Sequence, residues 1–221
     1  MSLESEAAEV RVYLEKSGAL MEGHFRLASG RHTEYYLNSL KVLQKPVILE
    51  AICKIMSPYF DHLQPEFFAC PSEAANSFAY QLALTYCHRH PSGTLPIYLY
   101  GSKGENGFVF KRGQASDVKG LRGVVVDDIG TTGGSVQSVV DLVRASGGKV
   151  PGVSYLCIRS DDVTLESVGD VEYLYTPLRV DFPSYPNIEE CPEELRRIPI
   201  DTTIGHGAEY VAKHGQLAIA R

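Results

Sequence analysis

The stretch Val124-Val-Val-Asp-Asp-Ile-Gly-Thr-Thr-Gly-Gly-Ser135 decides how this chain is read. Its three β-branched residues favour a buried strand. Two adjacent carboxylates, Asp127 and Asp128, stand where that strand is expected to end. Gly130 to Ser135 then form a small-residue loop that runs into the helical pattern Val136-Gln-Ser-Val-Val-Asp-Leu-Val143. A strand, a Gly/Thr/Ser loop and a helix start together make an anion cradle, because loop amides and the positive end of the helix dipole converge on one point. The hydroxyls of Thr131, Thr132 and Ser135 add donors, and Gly133 and Gly134 let the backbone approach closely. The two acids offer acceptors for vicinal hydroxyls, or a hold on hydrated Mg2+. A phosphate and a diol a few ångströms apart describe a ribose 5-phosphate.

Outward from this stretch, short apolar runs alternate with helical patterns. Phe67-Phe-Ala-Cys70, Pro96-Ile-Tyr-Leu-Tyr100, Gly123–Asp127, Val153-Ser-Tyr-Leu-Cys-Ile158 and Val171–Thr176 read as strands. Residues 4–17, Pro46 to about Tyr59, Ala74–His88 and 134–146 read as helices, the last stopped by Gly147-Gly148. This alternation predicts an α/β fold with an open parallel sheet covered by helices on both faces, and ligands at the carboxyl ends of its strands. The division expected is an N-terminal helix and hood over 1–43, an α/β core over 44–180 and an irregular, proline-rich cover over 181–221, with one short helix near Glu189 to Arg197.

Composition narrows the classes. At 221 residues and 44% hydrophobic content the chain can bury a sizeable core. No apolar run approaches the roughly 18 residues of a membrane span, and the acidic start Met1-Ser-Leu-Glu-Ser-Glu is wrong for a secretory signal. A net charge of −6 without a Lys/Arg stripe argues against nucleic acid as a main partner. Cys53, Cys70, Cys87, Cys157 and Cys191 are scattered, odd in number and without a Cys-x-x-Cys pair. Buried free thiols in a reducing cytoplasm explain them better than disulfides or zinc.

The Val124–Ser135 segment resembles the PRPP-binding signature of type I phosphoribosyltransferases: a hydrophobic strand, two acids, then a Thr/Gly/Ser loop. Leu27-Ala-Ser-Gly-Arg-His-Thr-Glu-Tyr-Tyr-Leu-Asn38 resembles the hood segment of the orotate members, where Ser-Gly precedes an aromatic pair. The resemblance implies the type I phosphoribosyltransferase fold with a small N-terminal hood. It also implies transfer of ribose 5-phosphate from PRPP, with Mg2+, to a nitrogen base, orotate foremost. Tyr35 and Tyr36 become candidate surfaces for a flat ring, though they could simply pack the hood. Arg159, just past the Gly152–Ile158 strand, matches an arginine that contacts orotate, and could equally pair with Asp161 or Asp162 on the surface. Ala28 stands where many members have lysine.

Two loops depart from the family pattern. The pyrophosphate loop reads Ala69-Cys-Pro-Ser-Glu-Ala-Ala-Asn-Ser77, with Glu73 in place of glycine-rich sequence. The catalytic loop reads Tyr100-Gly-Ser-Lys-Gly-Glu-Asn-Gly-Phe-Val-Phe-Lys-Arg-Gly113, without the lysine-plus-His-Gly pattern. Lys103 is nonetheless the candidate catalytic lysine, with Lys111 or Arg112 beside it, on a glycine-broken lid that can also be read as a hairpin turning at Glu105-Asn106-Gly107. The departures keep two other readings open: the same cradle serving another purine or pyrimidine base, or a PRPP- or nucleotide-binding regulator without catalysis. The paired tyrosines and apolar strand edges suggest a homodimer. His206 and His214 read as surface residues.

Overall fold

A computed structural model describes residues 3–215 except 28, 72–74, 94 and 106. Two compact units emerge, one of residues 1–13 with 39–180, the other of 14–38 with 181–221. The first helix, α1 (Leu3–Ser17), crosses that division in the chain.

The larger unit is built on five strands, β3 (Phe67–Cys70), β4 (Ile97–Tyr100), β7 (Arg122–Gly130), β8 (Lys149–Ile158) and β9 (Tyr173–Tyr175). Their order is β4-β3-β7-β8-β9, and every neighbouring pair is parallel. Parallel strands covered on both faces should be apolar throughout rather than alternating; all of β3, and β8 past Lys149, are buried. One face is covered by α6 (Gly134–Ala145), which buries Val136, Val139, Val140 and Val143 at helical spacing against Phe67, Val125 and Val153. Each such valine contributes about 1.5–3 kcal/mol by leaving water. The opposite face takes Phe68, one position along, whose ring meets Phe60 after α3 (Pro46–Met56) and Tyr86 of α4 (Asn76–Arg89). The short α2 (Leu40–Leu43) precedes α3. A separate hairpin, β5 (Ser102–Gly104) with β6 (Gly107–Val109), is followed by the short α5 (Gln114–Asp117). The α/β fold with its open parallel sheet is thus as expected.

One boundary needs correcting. The central strand does not end at Asp127: β7 continues through Gly130, because β8 keeps pairing with it at Ile129–Cys157 and Gly130–Ile158. The acids therefore lie inside the last stretch of a ladder, where neighbouring backbone holds them.

The smaller unit contains β1 (Leu20–Arg26) and β2 (His32–Leu37), antiparallel with a register shift between Glu22 and Phe25, and β10 (Ser184–Tyr185) on the other edge of β2. The proline-rich tail holds more structure than its pattern suggests. Besides α7 (Glu193–Arg197) it forms α8 (Gly207–His214). The start of α8 is decided by backbone approach: a Cβ at Gly207 would lie 1.8 Å from the Asp201 carbonyl oxygen, a fact invisible to local pattern. Among the described residues no helix is long and apolar enough to cross a membrane.

Candidate active site

β7, its following loop and α6 form one continuous site. Gly133 is the turning point, with φ +85° and an added Cβ 2.6 Å from the Ser167 carbonyl oxygen, so only glycine fits. It is also the N-cap of α6, and no side chain caps that helix. The first amides of a helix otherwise need an acceptor, and here they belong to a segment in which Thr131, Thr132, Gly134 and Ser135 are exposed. An anion is the natural partner for that end.

Beside it, Asp127 and Asp128 are treated differently. Asp127 is 8% exposed, and one of its oxygens accepts the Asp128 amide at 3.0 Å. Burial and the adjacent Asp128 carboxylate push its pKa well above the ordinary carboxylate range. Asp128 is half-buried; Oδ1 accepts the Ile129 amide at 2.9 Å and Oδ2 accepts the Ser39 hydroxyl at 2.5 Å. Tyr155 of β8 stands opposite Asp127 in the ladder. Its hydroxyl is buried without a hydrogen-bond partner, and burial, reinforced by Asp127, holds its pKa above the ordinary tyrosine value.

Arg159 follows β8 directly and is tied to the same end of the sheet, its amide donating to the Gly130 carbonyl at 2.9 Å. No salt bridge joins it to Asp161 or Asp162 among the described residues; Asp162 instead accepts the Ser160 hydroxyl at 3.0 Å. The structure thus gathers Asp127, Asp128, the Thr131–Ser135 loop and the Arg159 backbone at neighbouring strand ends.

Lys103 lies on β5, exposed, opposite Phe108 on β6. The glycine- and charge-rich segment is therefore a hairpin, though Asn106 lies outside the described residues. Phe108 and Phe110 pack on the α6-side core. Lys111 and Arg112 follow, both exposed, and Arg112 holds a left-handed φ of +54°. In the other unit, Tyr35 stacks on Phe182 with ring centres 5.4 Å apart, and Tyr36 lies 5.5 Å from Phe25. Ala28 and the Ser72-Glu73-Ala74 part of the atypical loop lie outside the described residues; the flanking Asn76 carboxamide oxygen accepts the Tyr98 hydroxyl at 2.9 Å. A surface cleft lined by Asp61, Glu66, Tyr86, His90 and Arg122 opens at the start of β3 and β7 rather than at the acid pair.

Sequence reasoning passed over Ser39 and Tyr155. Ser39 lies 89 positions from its carboxylate partner, and Tyr155 reads as an ordinary core residue until its ladder partner is known.

No family model matches the chain. It is 32% identical over 182 residues to the orotate phosphoribosyltransferase of Caldicellulosiruptor saccharolyticus, covering 82% of this chain and 88% of that one. It is 30% identical over 200 residues to the orotate phosphoribosyltransferase of Caldanaerobacter subterraneus, covering 88% and 95%. Among solved structures, the orotate phosphoribosyltransferase of Mycobacterium tuberculosis superposes with a TM-score of 0.61 at 22% identity, over 79% of this chain and 96% of that one. Strand order and relatives agree, and the chain belongs to the orotate phosphoribosyltransferase family.

Proposed function

We propose that this chain transfers ribose 5-phosphate from PRPP to orotate, releasing pyrophosphate. The observation that carries the reading is the glycine turn at Gly133, φ +85°, which starts α6 directly after the acid-bearing end of β7. The 5-phosphate would take the amides and hydroxyls of Thr131, Thr132, Gly133, Gly134 and Ser135. Asp127 and Asp128 would accept hydrogen bonds from the two ribose hydroxyls.

The bond from C1 to the pyrophosphate oxygen breaks as a ring nitrogen of the base bonds to C1, through a ribose with oxocarbenium character. Such a reaction needs positioning, neutralisation of the leaving group and exclusion of water. Lys103, with Lys111 or Arg112, is assigned to the charge growing on pyrophosphate, carried on the hairpin as a lid. Arg159 is assigned to the carboxylate of the base through paired hydrogen bonds, and Tyr35 and Tyr36 to its ring face. Mg2+ fits the site: the donors at the end of β7 are hard carboxylate oxygens, and a buried acid whose proton affinity is raised by a second acid favours a nearby cation. Bound with PRPP near Asp127 and Asp128, the ion would neutralise the diphosphate.

Five free cysteines, four of them buried, suit a reducing cytoplasm. A homodimer is the assembly we favour, since Leu40, Val47 and Ile97 leave apolar surface exposed on the larger unit.

The test is pyrophosphate release from PRPP and Mg2+ across orotate, uracil, adenine and hypoxanthine. Release with orotate is expected, and replacing Thr131 with a bulky residue should weaken PRPP binding by about 1.5–3 kcal/mol, the worth of one charge-assisted contact. Release with another base only, or PRPP binding without turnover, overturns the reading.

A further inference from the structure

The smaller unit holds a second cluster of chemistry that phosphoribosyl transfer does not use. His24 on β1, His32 on β2 and Cys191 just before α7 are all buried, and their candidate ligand atoms lie within 4.8 Å of one another. They come from segments 8 and up to 167 positions apart, so chance sequence proximity does not explain the meeting. Two soft-to-borderline donor types, imidazole and thiolate, converge in a dry place. That donor set selects zinc over magnesium or calcium.

We propose that His24, His32 and Cys191 bind one Zn2+, which fastens the β1–β2 hairpin to the tail of the same unit. Tetrahedral zinc at its usual bond lengths separates nitrogen ligands by about 3.3 Å and nitrogen from sulfur by about 3.6 Å. The His24 Nε2 and His32 Nδ1 atoms are 2.8 Å apart, so the rings need to part by about half an ångström to admit it. The supporting contact is already in place. His24 Nδ1 lies 3.0 Å from the Ile198 carbonyl oxygen, which orients the ring with Nε2 towards the cluster, the usual second contact of a metal-binding histidine. Three protein ligands leave a fourth position for water.

Without metal, the protons form a chain. Arg26 Nη1 donates to His32 Nε2 at 2.6 Å, which puts the His32 proton on Nδ1, facing His24 Nε2. His24 then carries its own proton on Nδ1, facing Ile198. Zinc replaces the shared proton: the His32 proton passes to Nε2, the Cys191 thiol releases one proton to solvent, and Zn–N and Zn–S bonds form. Arg26 must withdraw from His32 as this happens. Its guanidinium already lies 4.3 Å from the Tyr210 ring centre, an available resting place. The Glu189 carboxylate acts on both His32 and Cys191, and Glu190 and Arg196 act on Cys191, so two acids and one cation act on the cluster besides Arg26.

A metal would add a fastening to a proline-rich tail that already buries Leu195 and Ile200. Small units seldom stand on their cores alone and need a staple. Here the staple joins β1 and β2 to the tail near the sites where β10 extends the sheet and His24 bridges to Ile200.

The experiment uses the full chain purified from zinc-supplemented cells, dialysed against metal-free buffer and analysed for every transition metal. About one zinc per chain is expected, falling to background in Cys191→Ser and in His32→Ala, with circular dichroism confirming that each variant folds. Should these variants fail to fold, Co2+ titration of the chelator-treated wild-type chain decides. Tetrahedral cobalt bands with a thiolate charge-transfer band support the site. Cys87→Ser, which alters a cysteine on α4, must keep both bands. Substoichiometric metal in the wild type together with no cobalt bands overturns the proposal, as does a charge-transfer band that survives in folded Cys191→Ser. None of these readouts depends on PRPP or orotate.

Discussion

A pair of titratable groups sits in each unit, and burial has driven Asp127 of the one and the two histidines of the other in opposite directions. In the larger unit, burial and a like charge push the Asp127 carboxyl well up. In the smaller unit, burial, then His24, then Arg26 push the His32 imidazole down to about 4, while burial lowers His24. Both shifts favour the neutral form, as desolvation must. The chemistry that follows differs. A carboxylate held against its own charge is a site waiting for donors or a cation, and it lies beside an open helix end. A neutral imidazole next to another and a thiol is a buried ligand set. The same force, loss of hydration, thus prepares one pair to take up a substrate and the other to take up a permanent ion.

Asp127→Asn should break the comparison most visibly. Loss of one charged acceptor in a water-excluded site is expected to cut transfer by about 100-fold in kcat/KM. Stability should move the other way. A carboxyl whose folded pKa lies above its unfolded value of 3.8 binds its proton more tightly when folded, so wild-type stability declines as pH rises from about 4 through the folded value. The amide has no charge to desolvate. Its Tm should therefore exceed that of the wild type at neutral pH, with the gap closing towards about pH 4. Thermal melts across that range check it, and a lower Tm for the variant at neutral pH would mean that Asp127 is held by a partner stronger than its burial.

The imidazole pair should give the opposite slope and a smaller effect. His32 titrates near 4 when folded and near 6.5 when unfolded. In chelator-treated protein the unfolded chain binds the extra proton between those values, so stability is fully present above about 6.5 and is lost as pH falls towards about 4. His32→Gln should flatten that limb of the pH–Tm curve while leaving the alkaline side within a few degrees. An unchanged acid limb would show that His32 is not desolvated in the folded chain. With zinc bound, acid should also eject the metal, and the limb should steepen.

What could be read from sequence follows the same division. The phosphate cradle was legible because its parts are consecutive: strand, acids, Gly133 and the α6 valines obey local periodicity and backbone rules. The five parallel strands were legible as apolar runs for the same reason. The end of β7 was not, because continuation to Gly130 depends on pairing with Cys157 and Ile158 of another strand. The tail was harder still. Position 207 at the start of α8 must be glycine because a Cβ there would lie 1.8 Å from the Asp201 carbonyl oxygen, and β10 exists only as an edge on β2. The five cysteines read as free thiols with no zinc pattern, because the partners of Cys191 are two histidines far up the chain, and no Cys-x-x-Cys spacing announces such a trio. Ser39 escaped notice for a similar reason: nothing in its neighbourhood points to Asp128.

Ser39 offers the finest test of how the acid pair is held. It stands at the N-cap position of α2 but makes no side-chain cap bond, its hydroxyl being spent on Asp128 at 2.5 Å. Ser39→Ala should therefore leave α2 intact and act only through the carboxylate. The expected cost is about 1 kcal/mol, or roughly fivefold in the KM for PRPP, with kcat nearly unchanged. A folding defect would instead lower Tm and spread across both constants. The decisive measurement is the pair: on an Asp128→Asn background, the Ser39→Ala change should have no further effect on KM, since the group it orients is already altered. Additive losses would mean that Ser39 reaches the substrate by another route, and that Asp128 is positioned by its own Ile129 amide alone.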